Sequence, residues 1–115
     1  MNTDILQQLP VPWVDTAQIF TALGDPHRQR LLLLFEPGER LSIRQLVAVS
    51  PLSRTAVTHH LKILRETGLL LEQKEGKTVY LTVNTARLLE TFAVVTDFVR
   101  DYVQQTEQRQ RDSQA

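Results

Sequence analysis

The stretch from Leu52 to Gly68, Leu-Ser-Arg-Thr-Ala-Val-Thr-His-His-Leu-Lys-Ile-Leu-Arg-Glu-Thr-Gly, constrains the chain most, because it reads as a helix with one side for the protein and the other for a partner. Ser53 is a good N-cap, no glycine or proline interrupts the run that follows, and Gly68 supplies the left-handed position that ends it. Val57, Leu61 and Leu64 recur at helical spacing, with Ala56 and Ile63 beside them. Arg54, Thr55, Thr58, His59, Lys62 and Arg65 fall on the opposite side. That outer side has no acid until Glu66. A solvated face ordinarily mixes both signs, so a cationic one rich in hydroxyl and imidazole groups points to phosphates and base edges.

The formal net charge of zero argues against such a partner only until the charges are placed along the chain. Residues 1–25 carry three aspartates and no base; residues 26–83 carry nine Lys/Arg against five Glu; residues 84–115 carry four Arg against five acids. The central block alone is basic, as a local electrostatic footprint requires. Its excess is modest, so affinity has to come from pairing two such surfaces. At 115 residues and 42% hydrophobic the chain makes one domain with a modest core that calls for a partner chain. Residues 1–105 are expected to form it, with 106–115 as a polar, disordered tail.

The absence of cysteine excludes disulfides and thiolate metal sites. No signal-peptide pattern opens the chain and no apolar run reaches membrane-spanning length, so a cytoplasmic protein without a membrane partner is expected. Catalysis has no support. There is no G-x-S-x-G, no H-E-x-x-H, and no acid pair placed with a histidine.

In chain order, Ile5, Leu6 and Leu9 suggest a short docking helix that Pro10-Val-Pro12 stops. Asp15 or Thr16 then caps a second helix that closes at Gly24. Asp25-Pro26 restarts a third, whose Leu31 to Phe35 is apolar all round and is placed at the centre of the core. Leu41 to Val49 reads as a helix capped by Ser42, turned by Ser50-Pro51 into the helix above, which is the helix-turn-helix arrangement. Leu69 to Gln73 and Thr78 to Val83 read as a hairpin around Lys74-Glu-Gly-Lys77, hence a wing carrying Lys74 and Lys77. After Asn84, the residues Leu88, Phe92, Val95, Val99 and Tyr102 form a heptad seam. The fold class is therefore mainly α with a small β-hairpin, a winged helix-turn-helix that dimerises through terminal helices, with Ile5, Leu6 and Leu9 assigned to the same interface.

Over roughly residues 15–103 the chain resembles the ArsR/SmtB family of small dimeric winged-helix repressors. The resemblance rests on Phe20-Thr-Ala-Leu-Gly-Asp-Pro-His-Arg28, on the stretch from Leu52 to Leu69, on Glu75-Gly-Lys-Thr-Val-Tyr80 in the wing, and on the terminal heptad helix. It implies a homodimer on a pseudo-palindromic DNA operator. Arg54, Thr55, Thr58 and His59 then fall on the base-reading positions, and Lys77 stands where the wing's arginine usually does. The chain departs from the family in its effector chemistry: it has no cysteine, and residues 84–115 contain no histidine, so no cofactor or metal is expected.

The histidines and acids also have plainer readings. His59 and His60 are about 100° apart on a helix and cannot share an ion, so His59 is read as a DNA contact and His60 as a packed, hydrogen-bonded residue. His27 is read as a surface residue, Glu90, Asp97 and Asp101 as a solvated stripe, and Trp13 as a core plug. The rival reading is a winged-helix interaction module that does not bind DNA; the lack of apolar anchors on residues 54–65 speaks against it.

Overall fold

A computed structural model describes residues 1–115. A 3-10 turn at Thr3–Leu6 precedes helices α1 (Val11–Leu23) and α2 (Pro26–Leu33). Strand β1 (Leu41–Ser42), α3 (Ile43–Val49) and α4 (Arg54–Glu66) follow. The chain ends with β2 (Leu70–Glu75), β3 (Thr78–Val83) and the long α5 (Thr85–Gln114). The strands form one antiparallel sheet in the order β1-β3-β2. Gly76 (φ 60°) and Lys77 make the two-residue turn between Glu75 and Thr78, with the glycine in the left-handed position such hairpins require.

The core is assembled from one side of several elements: Ile19 and Ala22 of α1, Leu31 of α2, Leu46 of α3, Val57, Leu61 and Leu64 of α4, Leu69 just before the hairpin, and Leu70 and Leu81 within it. Only 13 of 115 residues are buried, and Thr91 is the single one from α5, so this helix leaves most of its apolar surface outside the fold.

Several expectations are corrected. Pro10-Val-Pro12 does not stop a helix but starts one: α1 opens at Val11 with Pro12 in its first turn, where an absent N–H forfeits no intrahelical bond. Asp15 and Thr16 therefore lie inside α1 and cap nothing, and the Thr16 hydroxyl donates to Pro12 O instead. Of Leu31 to Phe35 only Leu31 is buried, and Leu33 leaves 83% of its surface in water, because α1 and α4 cover one side of an eight-residue helix and nothing covers the other. Leu41-Ser42 is a strand paired with Leu81 and Tyr80 rather than the first turn of a helix. Ser42, still extended, caps α3 through a reciprocal capping box with Gln45.

The polar tail is helical to Gln114. It has no glycine or proline, and Thr106 to Tyr102 O, Gln108 to Asp112 and Arg111 to Gln108 tie successive turns.

Candidate nucleic-acid interface

Helix α4 starts where Ser53 Oγ accepts from Ala56 N at 3.1 Å and ends before Gly68, whose φ of 80° needs a residue without a side chain. With Val57, Leu61 and Leu64 fully buried, Arg54, Thr55, Thr58, His59 and Lys62 are forced outward, and all five are exposed. Arg54 occupies the first turn and makes no ion pair or side-chain hydrogen bond. Lys62 lies 3.8 Å from Glu66 with both groups largely in water, a contact too weak to immobilise it. In the wing, Lys74 and Lys77 form no salt bridge, and Lys77 stands at the tip of the turn.

Arg65, expected among the phosphate contacts, is ion-paired within the chain. Its guanidinium bonds Glu72 of β2 through Nε and Nη2, and this bond holds the Glu72 carboxyl below the usual carboxylate range. Arg65 thus ties the last turn of α4 to β2. A second clamp lies at the wing's far end: Arg40 donates to both oxygens of Glu75 (2.7 and 3.0 Å) and stacks 3.9 Å over the Tyr80 ring. Sequence reasoning missed Arg40 because 35 residues separate the partners. It also passed over Arg44, an exposed, unpaired guanidinium on the first turn of α3; a count of unmatched cations on the brace helix would have found it.

Behind α4, Arg28 gathers three elements. Its Nε donates to Ala22 O (2.7 Å), its Nη2 to Thr21 O (3.1 Å) and its Nη1 to His60 Nδ1 (3.3 Å), while Asp25 caps α2. His60 is thus half-buried against its neighbours, and burial pushes its pKa below the ordinary value. His27 is exposed and pairs with Arg30. The other end of α4 is tied to α5 and α1. Asn84 Nδ2 donates to Gly68 O (2.9 Å), Arg87 Nε to Thr67 O (3.3 Å), and the Arg87 guanidinium grips Asp15 at 2.5 and 2.6 Å. The bond to Arg87 lowers the Asp15 pKa, and the Arg87 pKa is raised in return.

The residues expected at the dimer seam divide. Leu88 packs against the chain's own core and Val95 is half-buried, whereas Phe92, Val99 and Tyr102 are exposed, as are Ile5, Leu6 and Leu9. Trp13 meets Phe98 edge-on at 5.4 Å and Phe20 lies 6.2 Å from Phe92, so α1 and α5 form one continuous aromatic face. No three histidine or carboxylate side chains converge as metal ligands would, and no helix is long and apolar enough to cross a membrane.

The family profile described as "Bacterial regulatory protein, arsR family" matches residues 25–71, from the α2 cap through α4 into the wing. Among curated proteins, the "Transcriptional repressor SmtB homolog" of Synechocystis sp. is 31% identical over 88% of this chain and 70% of its own length. The "Transcriptional repressor SdpR" of Bacillus subtilis is 25% identical over 70% of this chain and 89% of its own. Among solved structures, an ArsR-like transcriptional regulator from Rhodococcus sp. superposes with a TM-score of 0.76 at 24% identity, covering 83% of this chain and 89% of that one. Sequence and fold thus converge on one group, and the chain belongs to the ArsR family of winged helix-turn-helix, DNA-binding transcriptional regulators.

Proposed function

We propose that the chain is a homodimeric repressor that lays two copies of α4 into successive major grooves of a pseudo-palindromic operator, working in the cytoplasm and without catalysis of its own. The observation that carries this reading is the outer face of α4, where Arg54, Thr55, Thr58, His59 and Lys62 stand exposed over a fully buried Val57, Leu61 and Leu64. Arg54, at the helix end that enters the groove, and His59 read bases, with Thr55 and Thr58 making short hydroxyl contacts. Lys62, Lys74, Lys77 and Arg44 hold phosphates. Arg65 keeps the wing in register. Both curated relatives described above are named repressors, which supports the direction of regulation. Residues 1–105 carry both DNA binding and dimerisation. Residues 106–114 extend α5 without touching the core.

The test is duplex binding by fluorescence anisotropy across a salt series, comparing DNA from upstream of the chain's own gene with a random duplex. Lys77→Ala should weaken both duplexes alike and shallow the slope of log K against log salt by about 0.9 for each phosphate no longer neutralised, hence roughly twice that in a dimer. Arg54→Ala should cost about 1–3 kcal/mol per half-site on the specific duplex and change the random one far less. Equal weakening on both duplexes would reassign Arg54 to a phosphate. No salt-dependent binding to either would leave a protein-interaction module.

A further inference from the structure

Three consecutive carbonyls follow the end of α4, and all three are bonded to residues at the start of α5. Thr67 O accepts from Arg87 Nε (3.3 Å), Gly68 O from Asn84 Nδ2 (2.9 Å) and Leu69 O from the Asn84 backbone N–H (2.9 Å). Asn84 also caps α5 by accepting from Arg87 N at 3.2 Å, so the cap of one helix and the clamp on the other are one unit. The Arg87 side chain crosses the C-terminus of α4: its Nε and Cδ lie 3.6 and 3.9 Å from the place that a β-carbon on Gly68 would take. A cation there meets the negative end of the α4 dipole. The other edge of the same guanidinium closes a two-bonded fork on Asp15 of α1, at 2.5 and 2.6 Å. Each guanidinium nitrogen is thereby committed, one to the recognition helix and two to α1.

We propose that Arg87 is the positioning residue that sets the angle of the recognition helix to the dimer face, and with it the spacing between half-sites that the dimer accepts. The inference rests on the reading of a dimer on DNA given above and adds what determines its geometry. The aromatic face assigned to the partner copy belongs to α1 and α5, through Trp13 with Phe98 and Phe20 with Phe92. Helix α4 packs on α2, α3 and β2 rather than along α5. The other polar tie from the α1 side is Arg28, which bonds the end of α1 and reaches α4 at His60 by one contact of 3.3 Å. One attachment is a pivot; a second sets an angle. Half-buried as it is, the pair of Arg87 and Asp15 adds modestly to stability, and what its bidentate form adds is direction. The lever is long enough to matter. Arg54 stands six residues from His60, about 9 Å along the helix, so a swing of about 10° moves it about 1.6 Å. Twofold symmetry doubles this to about 3 Å between the two copies, close to the roughly 3.4 Å rise of one base pair.

Because the chain has no cysteine, Thr55→Cys places one spin label per copy at the reading end of α4. Double electron-electron resonance on the full chain without DNA then reads the distance between copies, which should be single and narrow while Arg87 and Asp15 are intact. Arg87→Lys keeps a cation but has one nitrogen for two partners, and it should shift or broaden that distance by at least about 2 Å. Asp15→Asn leaves Arg87 on α4, should act in the same direction, and decides the matter if Arg87→Lys does not fold by circular dichroism. Asp15→Glu, which keeps the carboxylate, should retain the narrow distance. In anisotropy with unlabelled protein, adding or removing one base pair at the centre of the specific duplex should weaken wild-type binding at least about tenfold, and this penalty should shrink at least about threefold in Arg87→Lys and in Asp15→Asn. An ion pair that only stabilises would lower the urea midpoint and leave both the distance and the spacer penalty as they were. That result, or a wild-type chain in which no pair of labels is detected, overturns the proposal. A changed distance with an unchanged spacer penalty overturns the role in specificity. A failure of the DNA-binding reading looks different: no form of the chain binds either duplex, while the label distance still responds to Arg87.

Discussion

Replacing Phe92 with aspartate should turn the proposed dimer into a monomer, and the size of the effect follows from the exposed surface. Phe92 leaves 48% of its surface in water although it lies beside Phe20 on the aromatic face of α1 and α5. A phenylalanine buries about 150–250 Å2, so roughly 100 Å2 per copy remains for a partner to cover. At about 25 cal/mol per Å2 this is worth roughly 2.5 kcal/mol per copy, or about 5 kcal/mol per symmetric dimer. Removing it alone raises the dimer dissociation constant by more than about three orders of magnitude. The introduced carboxylates, desolvated in the interface, add to that. Sedimentation velocity across a concentration series reads the constant directly, and circular dichroism checks that the variant keeps its helices. A folded variant whose dissociation constant moves by less than about tenfold would refute the assignment of this face.

Acidification should destabilise the fold through His60. Its folded pKa is depressed, by burial first, with the charges of Arg28, His27 and His59 adding and that of Asp25 opposing. The unfolded chain therefore binds the proton more readily, and stability falls as pH drops through the ordinary histidine range. Protonation also removes the lone pair that accepts from Arg28. The urea midpoint should fall between about pH 7.5 and about pH 5.5, and fall less in His60→Gln; an identical fall in both excludes His60 as the source. Zinc, nickel, cadmium and arsenite at near-stoichiometric levels should not release the operator, since the chain has no cysteine and no three of its histidine and carboxylate side chains converge. A stoichiometric metal found by elemental analysis of untagged protein would overturn this.

The parts of the fold legible in the sequence are those fixed by neighbours a few residues apart. Ser53 and Gly68 bound α4, Asp25-Pro26 opens α2, and Ser42 caps α3, because a cap needs only its own first turn. Pro10 and Pro12 mislead for a related reason: proline stops a helix in its interior and starts one at its edge, and the sequence alone does not say which edge is near. Strand β1 is two residues long and exists because Leu81 and Tyr80 lie across from it, a partnership no local pattern contains. The split of the terminal seam, with Leu88 turned inward and Phe92 outward, depends on where α1 lies against α5, which is likewise not local.

Pairing between distant residues also changes what the charge count means. Of the nine central cations, Arg28 is bound to α1 carbonyls and His60, Arg40 to Glu75, and Arg65 to Glu72, so a third of the formal footprint is internal. The acids shrink in parallel: Glu72 and Glu75 are the partners in those clamps, and Glu36 and Glu39 stand in the turn that follows α2. With Arg54 on a base and Arg30 bonded to His27 on α2, Arg44, Lys62, Lys74 and Lys77 remain for phosphates. Four per protomer predict a slope of log K against log salt of about −7 for the dimer on its specific duplex, whereas counting Arg65 as well would give about −9. Arg65→Gln discriminates further. As a clamp it should lower specific affinity by loosening the wing while leaving the slope near about −7; as a phosphate ligand its removal should shallow the slope by roughly 2. A wild-type slope near about −9 that falls to about −7 in this variant would mean that Arg65 leaves Glu72 when DNA binds, and the clamp would have to be withdrawn.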